Sequence, residues 1–461
     1  MGNKYLRDPI HGSISFDKER ERLIIDLINT REFQRLRRIR QLGALYLTFH
    51  GAEHTRFTHS VGVAFMAKRI FDSLLAAGQI PLKGAVLERT RLVAIAAALL
   101  HDLGHGPFSH LYEKVFNDRR HEEWTRLIIR HARGETGRLL RRAGMVEEIL
   151  AVYGHAYRPS FVSDIVSSQL DADRLDYLLR DSFMTGVAYG RYDLDWILTN
   201  LRLARRGRET ASPAGGGPDG DLRLAINGTK GYHAAEQFVI GRYLMYQQVY
   251  YHKTSRAAEQ MIRTALQRLV DAHGETGTLP DPCTASIKRL VETRGNLPVE
   301  DFLRLDDWLL LSAFQEWALA PPGKVDPILR DFCDRITRRR LFKTVRLTAD
   351  ARHKLFGQAI EELSGLFRRK GFDPRYYLLE DDATDLPYRD LAYSDRMGTA
   401  PEDIGLAVRG RIVGYMSERT VSPLIDSIRN EPRKLLRLCF PGAMRAAVER
   451  RLKPFIASER Q

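Results

Sequence analysis

An apolar helix that must stop at a His-Asp pair constrains the fold of this chain more than any other feature. Residues 92–100 form an uninterrupted, alanine-rich apolar run, which predicts a helix that is buried on all sides. His101 and Asp102 follow at once, and the Gly- and Pro-containing stretch 103–107 prevents the helix from continuing. Adjacent residues do not share one face of a regular helix, but their side chains can converge at its end. The fold therefore has to place a polar site at the end of a buried helix.

Apolar periodicity predicts that most of the chain is helical. Residues 31–42 place apolar side chains about three positions apart between basic ones, which predicts an amphipathic helix. Residues 90–101 predict a second helix, capped near Thr90, and residues 160–181 predict a third, with Ser160 as its cap. We therefore expect a mainly α fold.

Composition divides the chain into two parts. Residues 209–221 are rich in Gly, Pro and Ser and predict a loop, which we expect to be mobile over about residues 207–221. The β-prone residues 222–226 beside it predict a small β-hairpin. We expect a core of residues 1–255 and a helical C-terminal lobe of residues 256–461 with an oligomerisation or regulatory role.

The charge balance indicates the kind of partner. The chain has 72 Lys and Arg against 58 Asp and Glu, a formal net charge of +14. This charge favours anionic partners such as nucleotides or nucleic acid, although a solvated basic surface explains it equally well.

Several features favour a cytoplasmic protein. No run of about 18 apolar residues occurs, so we expect no membrane-spanning helix and no membrane partner. The N-terminus lacks the apolar core of a signal peptide. The three cysteines have no metal-type spacing, so we expect them to be reduced.

Two imidazoles and two carboxylates, spread over three segments, form a candidate metal site. The residues are His59, His101, Asp102 and Asp173. This mixed nitrogen and oxygen set suits Fe, Mn, Zn or Mg and disfavours a thiolate-type structural zinc site. Four protein ligands leave positions open on an octahedral metal for water and phosphate. The sequence therefore predicts a divalent metal cofactor, whose identity stays open.

Around these residues the sequence resembles the HD superfamily, and more narrowly the branch that contains the vertebrate dNTP triphosphohydrolase SAMHD and bacterial dGTPase-like enzymes. The motifs that carry the resemblance are DPIHG (8–12), FQRLRRIRQLG (33–43), HTRFTHSVGV (54–63), LLHDLGHGPFSH (99–110), DRLDYLLRDS (173–182), YYHK (250–253) and RRRLFK (338–343). The resemblance implies an HD-domain helical core. It also implies metal-dependent hydrolysis of a dNTP to a deoxynucleoside and triphosphate.

The resemblance implies catalytic roles for three further residues. His121 matches the catalytic histidine of the family, and Glu113 stands near the position of its acidic partner. His105 matches a further active-site histidine.

The resemblance also implies contacts with each part of a dNTP substrate. For the triphosphate the matching residues are Arg56, Arg242 and Arg174, the last in place of a lysine. For the sugar 3′-hydroxyl they are Gln41 and Asp181, and for the wall that packs the deoxyribose they are Leu42, Tyr177 and Tyr250. His110 matches another active-site histidine. Without the resemblance, the two tyrosines would be read as core aromatic residues.

A nucleotide effector and a homotetramer, arranged as a dimer of dimers, are further implications of the resemblance. The residues that match effector-site positions are Lys4, Asn29, Arg37, Lys230, Arg339 and Lys343. Asn29 replaces an aspartate that reads guanine in the family. Asn presents one acceptor and one donor group where Asp presents only acceptors, so we expect an effector that need not be a guanine nucleotide.

Two alternatives stay open. One is another HD phosphohydrolase, such as a nucleotidase, a phosphodiesterase or a ppGpp hydrolase, although the GYP motif of cyclic-di-GMP enzymes is missing. The other is a nucleic-acid-binding protein whose basic surface is its main feature, with a salt-dependent affinity. Binding of nucleic acid could also accompany catalysis as a secondary property.

Overall fold

Helices supply most of the structure, so the predicted mainly α fold is confirmed. The computed structural model describes residues 2–116, 119–206, 221–348, 354–383, 403–418, 422–429 and 435–457. The helices of the first half are α1 (Arg22–Ile28), α2 (Arg31–Gln34), α3 (Arg56–Ala76), α4 (Gly84–Leu100), α5 (His110–Val115), α6 (His121–Arg130), α7 (Glu135–Arg142), α8 (Val146–Tyr153), α9 (Phe161–Val166), α10 (Ala172–Thr185) and α11 (Leu194–Asn200). Those of the second half are α12 (Tyr232–Met245), α13 (Lys253–Thr276), α14 (Ala285–Glu292), α15 (Val299–Phe302), α16 (Asp307–Leu319), α17 (Pro327–Thr337), α18 (Lys354–Arg369), α19 (Pro374–Tyr377), α20 (Pro423–Arg429) and α21 (Arg445–Leu452).

In the part of the chain that the structure describes, three small sheets accompany the helices. The strands are β1 (Asn3–Asp8), β2 (Gly12–Asp17), β3 (Leu201–Arg206), β4 (Leu222–Asn227), β5 (Lys343–Arg346), β6 (Leu379–Ala383), β7 (Gly405–Val408), β8 (Arg411–Tyr415) and β9 (Leu435–Phe440). Strands β1 and β2 form an antiparallel hairpin, and β5, β9 and β6 form an antiparallel sheet in that order. Strands β3, β4, β7 and β8 close into a small barrel.

The core that positions the site is built on α3, α4 and α10. Residues 93–100 of α4 are fully buried, as their apolar run predicts, and this helix packs along α3. Helix α10 lies on another face of α3. Both α4 and α10 therefore bring an end to the same side of α3, where the predicted metal ligands lie.

The predicted helix over residues 31–42 is wrong in extent. It stops after α2 and a short 3-10 turn, Arg35–Arg38, because Ile39 is extended. Arg40 then forms an isolated antiparallel bridge with Thr55. The tertiary pairing of this segment overrides its helical periodicity.

The predicted helix caps also need correction. Helix α4 begins at Gly84, and Thr90 is buried within it, so Thr90 does not cap the helix. The segment 160–181 is two helices, because the Asp171 side chain accepts the backbone N–H of Arg174 and starts α10 anew. Ser160 occupies the N-cap position of α9, but its hydroxyl contacts Asp221 and not the backbone of that helix.

The predicted hairpin exists, and the C-terminal part contains more β-structure than the sequence indicates. Strand β4 pairs with β3 in antiparallel register, from Leu201 opposite Ile226 to Arg205 opposite Leu222. Strands β7 and β8 join this hairpin from the C-terminal part of the chain. That part is therefore helical with five added strands, β5 to β9. The predicted mobile loop lies outside the described residues, apart from Asp221.

Helix α13 spans the expected boundary between residues 255 and 256. It packs against α5 of the core and also against α17, β5 and β6 of the C-terminal part. Within the described ranges, no helix is both long enough and apolar enough to cross a membrane.

Candidate active site

The structure brings the four predicted metal ligands together. His59 lies in the first turns of α3, His101 and Asp102 follow the last turn of α4, and Asp173 lies in the first turn of α10. Nε2 of His59 is 3.0 Å from Oδ1 of Asp173 and 3.8 Å from Oδ2 of Asp102. Nε2 of His101 is 3.3 Å from Oδ1 of Asp102 and 3.7 Å from Oδ1 of Asp173.

Two buried imidazole nitrogens indicate that this cluster fits a metal ion. Nε2 of His59 and Nε2 of His101 are buried and have no hydrogen-bond partner. The opposite nitrogens are both engaged, since Nδ1 of His59 lies 2.9 Å from Asp176 and Nδ1 of His101 lies 2.8 Å from the Ala98 carbonyl. These bonds leave each Nε2 facing the carboxylates of the cluster, where a metal could bind it in place of a proton, as in a metal-binding histidine. Ligand atoms of His59, His101 and Asp102 lie within 4.8 Å of one another.

Electrostatics favour charged groups in this buried cluster. Burial disfavours the charged form of His59, but the adjacent carboxylates of Asp173 and Asp176 outweigh it and raise its pKa to about 10. Burial also opposes ionisation of Asp102, yet the adjacent Arg56 guanidinium and His101 hold the pKa of that carboxyl well below its usual range. The cluster is therefore a set of opposite charges that a cation can enter by displacing protons.

A second cluster of three histidines and a glutamate adjoins the first. The rings of His105 and His121 stack with centroids 4.0 Å apart. Nδ1 of His121 lies 2.9 Å from Oε1 of Glu113, and Nδ1 of His110 lies 3.4 Å from Oε2 of the same carboxylate. Nε2 of His105 is 3.2 Å from Oδ1 of Asp102, which links the two clusters.

The neighbours of this second cluster set its charges. Burial opposes ionisation of Glu113, but hydrogen bonds from His110 and His121 lower its pKa. Burial and the nearby Arg56 hold the pKa of His105 well below its usual range, so that its ring is neutral. A charged carboxylate therefore lies beside Nδ1 of His121 and can orient its ring.

Both clusters open into one cavity of about 700 Å³. Of the residues predicted to act on a substrate, those that line it are Gln41, Leu42, Arg56, His105, His110, Glu113, His121, Tyr177, Asp181 and Tyr250. Among the metal ligands, Asp102 and Asp173 reach its wall. The cavity is large enough for a nucleotide and carries both carboxylates and cations on its wall.

Asp181 is held in place by two neighbours at the side of the cavity. His54 Nε2 lies 2.8 Å from its Oδ1, and the Tyr250 hydroxyl donates to its Oδ2 at 2.7 Å. Burial raises the pKa of the Tyr250 hydroxyl well above its usual value, so the hydroxyl remains a donor. The predicted sugar-contacting group is therefore rigid before any ligand binds.

Two of the three predicted triphosphate arginines do not line the cavity. The Arg174 guanidinium forms an ion pair with Asp171. Arg242 is buried, and its Nη1 donates to Oε1 of Gln169 at 2.6 Å. Arg56 is the predicted arginine that the structure does bring to the cavity, where it contacts Asp102 and Ser109.

The predicted effector residues are dispersed over a single chain. Asn29 lies on an open cavity of about 420 Å³ beside α7, whereas the Arg37 guanidinium lies 3.5 Å from the centre of the Phe57 ring. Nε of Arg339 donates to the Leu47 carbonyl at 2.7 Å. The remaining three are exposed, on β1, before α12 and on β5: Lys4, Lys230 and Lys343. The effector site stays a prediction.

Sequence reasoning missed several residues of the site. Asp176 and His54 hold His59 and Asp181, and Arg256 and Glu259 of α13 line the cavity. Asp176 and His54 lie inside motifs that carry the family resemblance, so their place in those motifs could have identified them as residues of the site. No local sequence pattern around Arg256 and Glu259 predicts that they line the cavity.

The HD domain family matches residues 56–181, and its HD-associated region matches residues 219–279. The first range contains every predicted metal ligand, from His59 to Asp173. The chain is 38% identical to the protein YwfO of Bacillus subtilis over 442 residues, which covers 95% of this chain and 92% of that protein.

The chain is also similar to proteins with a named activity. The chain is 29% identical over 307 residues to the human deoxynucleoside triphosphate triphosphohydrolase SAMHD1, which covers 59% of this chain and 46% of that protein. A crystal structure of a phosphohydrolase from Bacteroides thetaiotaomicron superposes with a TM-score of 0.77 at 27% identity, covering 95% of this chain and all of that one (100%).

Proposed function

The chain belongs to the HD superfamily of metal-dependent phosphohydrolases, in the branch that includes the SAMHD1 proteins, and we propose that it hydrolyses dNTPs to deoxynucleosides and inorganic triphosphate. The observation that carries this proposal is the shared cavity. Its lining includes Asp102 and Asp173 of the metal cluster, the His121–Glu113 pair and the Asp181–Tyr250 pair. A phosphohydrolase needs a metal cluster and a general acid such as His121. The Asp181–Tyr250 pair could bind the deoxyribose of the substrate.

The metal site would be filled through His59, His101, Asp102 and Asp173. A divalent metal, when bound there, neutralises phosphate charge and lowers the pKa of water towards neutrality. Arg56, on the cavity wall beside Asp102, adds positive charge for the phosphates.

His121 is the candidate general acid. Water attacks the α-phosphorus, the bond to the 5′-oxygen breaks, and His121 delivers a proton to that oxygen. Glu113 accepts a hydrogen bond from Nδ1 of His121, which leaves Nε2 to exchange the proton. The products are then a deoxynucleoside and triphosphate, with atoms balanced by one water.

The sugar-side wall supports a preference for deoxyribose. Tyr177 and Tyr250 line the cavity with Leu42, and Tyr250 is fixed by its bond to Asp181. A rigid wall packed against the deoxyribose would exclude a 2′-hydroxyl by its shape, and a hydroxyl buried there without a partner would be costly. We therefore expect dNTPs to be hydrolysed and NTPs to be hydrolysed poorly.

Product analysis tests this function. The purified protein is incubated with Mn²⁺ or Mg²⁺ and each dNTP or NTP, and Asp102→Ala serves as the control. We expect a deoxynucleoside and triphosphate from wild type and neither from the variant. Diphosphate and monophosphate as products, or no turnover of any dNTP, would refute the proposal. Hydrolysis of ppGpp in the same assay would then favour another HD phosphohydrolase.

We further propose that a nucleotide effector activates a homotetramer, built as a dimer of dimers, in the cytoplasm. The support is the family match and the basic residues at the effector positions, Arg37 and Arg339 among them. Because Asn29 replaces an aspartate, we expect an effector that need not be a guanine nucleotide. The assay compares single dNTPs with mixtures while light scattering records the mass. If each dNTP is hydrolysed at the same rate alone and in mixtures, and the mass of the oligomer does not change, activation by a nucleotide effector is contradicted.

A further inference from the structure

Asp176 is a buried carboxylate that lies behind the metal ligand His59. It stands one turn after Asp173 on α10 and is fully enclosed. Its Oδ2 lies 2.9 Å from Nδ1 of His59 and accepts from Nε of Arg180 at 2.8 Å. Its Oδ1 lies 2.6 Å from Nε2 of His11 and accepts from Nη2 of Arg180 at 2.8 Å. A carboxylate has about four acceptor positions, so all of them are used.

This bonding decides where the proton of His59 resides. The bidentate pair with Arg180 keeps Asp176 an anion, which can only accept. Nδ1 of His59 must therefore carry a proton, so Nε2, which faces Asp173 at 3.0 Å, is the nitrogen that can bind a metal once its own proton is displaced. A ligating histidine that donates its other N–H to a carboxylate is fixed in tautomer and orientation.

The same carboxylate is tied to the N-terminal hairpin. His11 belongs to the turn between β1 and β2, and its side chain is only 1% exposed. Asp8 shapes that turn, since its Oδ1 accepts the backbone N–H groups of Ile10 and His11 at 2.9 and 3.0 Å. The Oδ2 of Asp8 accepts from Nη1 of Arg180 at 2.8 Å. The His11–Asp176 and Asp8–Arg180 contacts therefore both dock the turn on α10.

A glycine of α3 makes room for this arrangement. A β-carbon at Gly62 would collide with Oδ1 of Asp176 and with Nη2 of Arg180. The absence of a side chain lets α10 bring both groups against α3, next to His59. The contacts that run from His11 through Asp176 to the metal ligand His59 are therefore closely packed.

We propose that the β1–β2 turn is a working part of the metal centre, in which His11 acts through Asp176 as a positioning residue for His59. Docking of the hairpin and binding of the metal are then coupled, and the coupling is reciprocal. This inference rests on the metal centre of the proposed function but not on the identity of the substrate.

Titration of the metal-free full-length protein with Mn²⁺, followed by calorimetry, tests the positioning role. His11→Phe keeps the ring packing but cannot donate to Asp176, so we expect its Mn²⁺ affinity to fall roughly 10- to 100-fold. His11→Gln can still donate from its amide and should lose much less. His131→Phe is the matched control, because it breaks an equivalent histidine–carboxylate bond, to Glu300 at 2.9 Å, that contacts no metal ligand.

Hydrogen exchange tests the coupling from the other side. We expect Mn²⁺ to slow amide exchange in residues 3–17 of wild type and of His131→Phe, but not of His11→Phe. If His11→Phe is too unstable to purify, the test uses wild type and His11→Gln. We then expect Mn²⁺ to slow amide exchange in residues 3–17 of wild type and to slow it less in His11→Gln. Unchanged Mn²⁺ affinity in a folded His11→Phe, or hairpin exchange that ignores Mn²⁺, would overturn the inference. If Mn²⁺ binding and hairpin protection are coupled but the protein hydrolyses no dNTP, this inference is supported. Only the substrate of the proposed function is then refuted.

Discussion

At the scale of single residues, the contrast between His105 and His121 is the most informative feature of the site. The two rings stack, yet the first is kept neutral by burial and Arg56, whereas the second has a charged carboxylate behind it. Only His121 therefore has the partner that a general acid needs. His105 serves as a neutral ring beside Asp102.

Substitution of this pair should affect turnover more than binding. We expect His121→Asn to lower kcat about 100- to 10,000-fold, because it removes general acid catalysis. Glu113→Gln should lower kcat about 10- to 100-fold, since a charge-assisted hydrogen bond is worth about 1.5–3 kcal/mol. Steady-state kinetics measure both, with KM nearly unchanged.

The matched control for Glu113 is Glu123→Gln, which removes the same charge from an exposed position two residues after His121. It should retain wild-type kcat. A kcat of Glu113→Gln equal to that of the control would show that the carboxylate plays no part in orienting His121.

At the scale of elements, helix α16 holds two loops of the cavity. Its first residue, Asp307, is fully buried, and its two oxygens accept the backbone N–H groups of Phe108 at 2.7 Å and Arg40 at 2.9 Å. Phe108 and Ser109 both have a φ of 53°, which is unfavourable for residues with a β-carbon. Asp307 therefore stabilises the strained loop that leads to His110.

Asp307→Asn should destabilise the protein in a way that depends on pH. The amide keeps one acceptor and loses the other, which we expect to cost about 1–3 kcal/mol of the free energy of unfolding. Burial raises the pKa of Asp307 to about 6. A folded-state pKa above the unfolded value means that its contribution to stability is full below about pH 4 and declines as pH rises to about 6.

The variant carries no titrating group at this position, so its deficit should be larger near about pH 4.5 than near about pH 7. Urea unfolding at several pH values measures the difference. A deficit that grows with rising pH would contradict the assigned cause.

At the scale of the whole molecule, α13 joins the catalytic core to the C-terminal part. Arg256 lines the cavity, and its Nη2 contacts Oδ1 of the buried Asp381 on β6 at 2.5 Å. Nε2 of Gln260 donates to the same carboxylate at 2.8 Å. Nη1 of Arg437 on β9 lies 3.8 Å from Oδ2 of Asp381. The wall of the active site thus depends on strands that follow the core in sequence by more than a hundred residues.

Asp381→Asn should therefore affect both stability and activity. The substitution removes the buried charge that faces Arg256, while the ion pair of Arg256 with Glu259 at 2.7 Å remains, so we expect a loss of about 3 kcal/mol, the lower end for a broken buried ion pair. Thermal unfolding followed by circular dichroism measures it, with the exposed neighbour substitution Asp382→Asn as the control for charge. Equal stability of the two variants would argue against a structural link between the two parts of the chain.

Short stretches of the sequence were enough to predict the local features of the fold and the site. The apolar run that stops at His101, the helical periodicity, the β-prone residues next to the Gly-rich loop and the motifs around His59 and Asp173 all lie within short windows, where side-chain pattern and backbone preference act directly. These windows were enough for the mainly α fold and for the identity of the candidate ligands.

The tertiary structure alone decided which groups meet. His59 and Asp176 are 117 residues apart in the chain, and no local pattern records their bond. The same holds for Arg174, whose charge suited a phosphate but which pairs with Asp171, and for the strands that close the barrel with β3 and β4. The physical reason is that hydrogen bonds, ion pairs and strand pairing are satisfied in three dimensions, and each long-range partner is chosen by the packing of the helices that carry it.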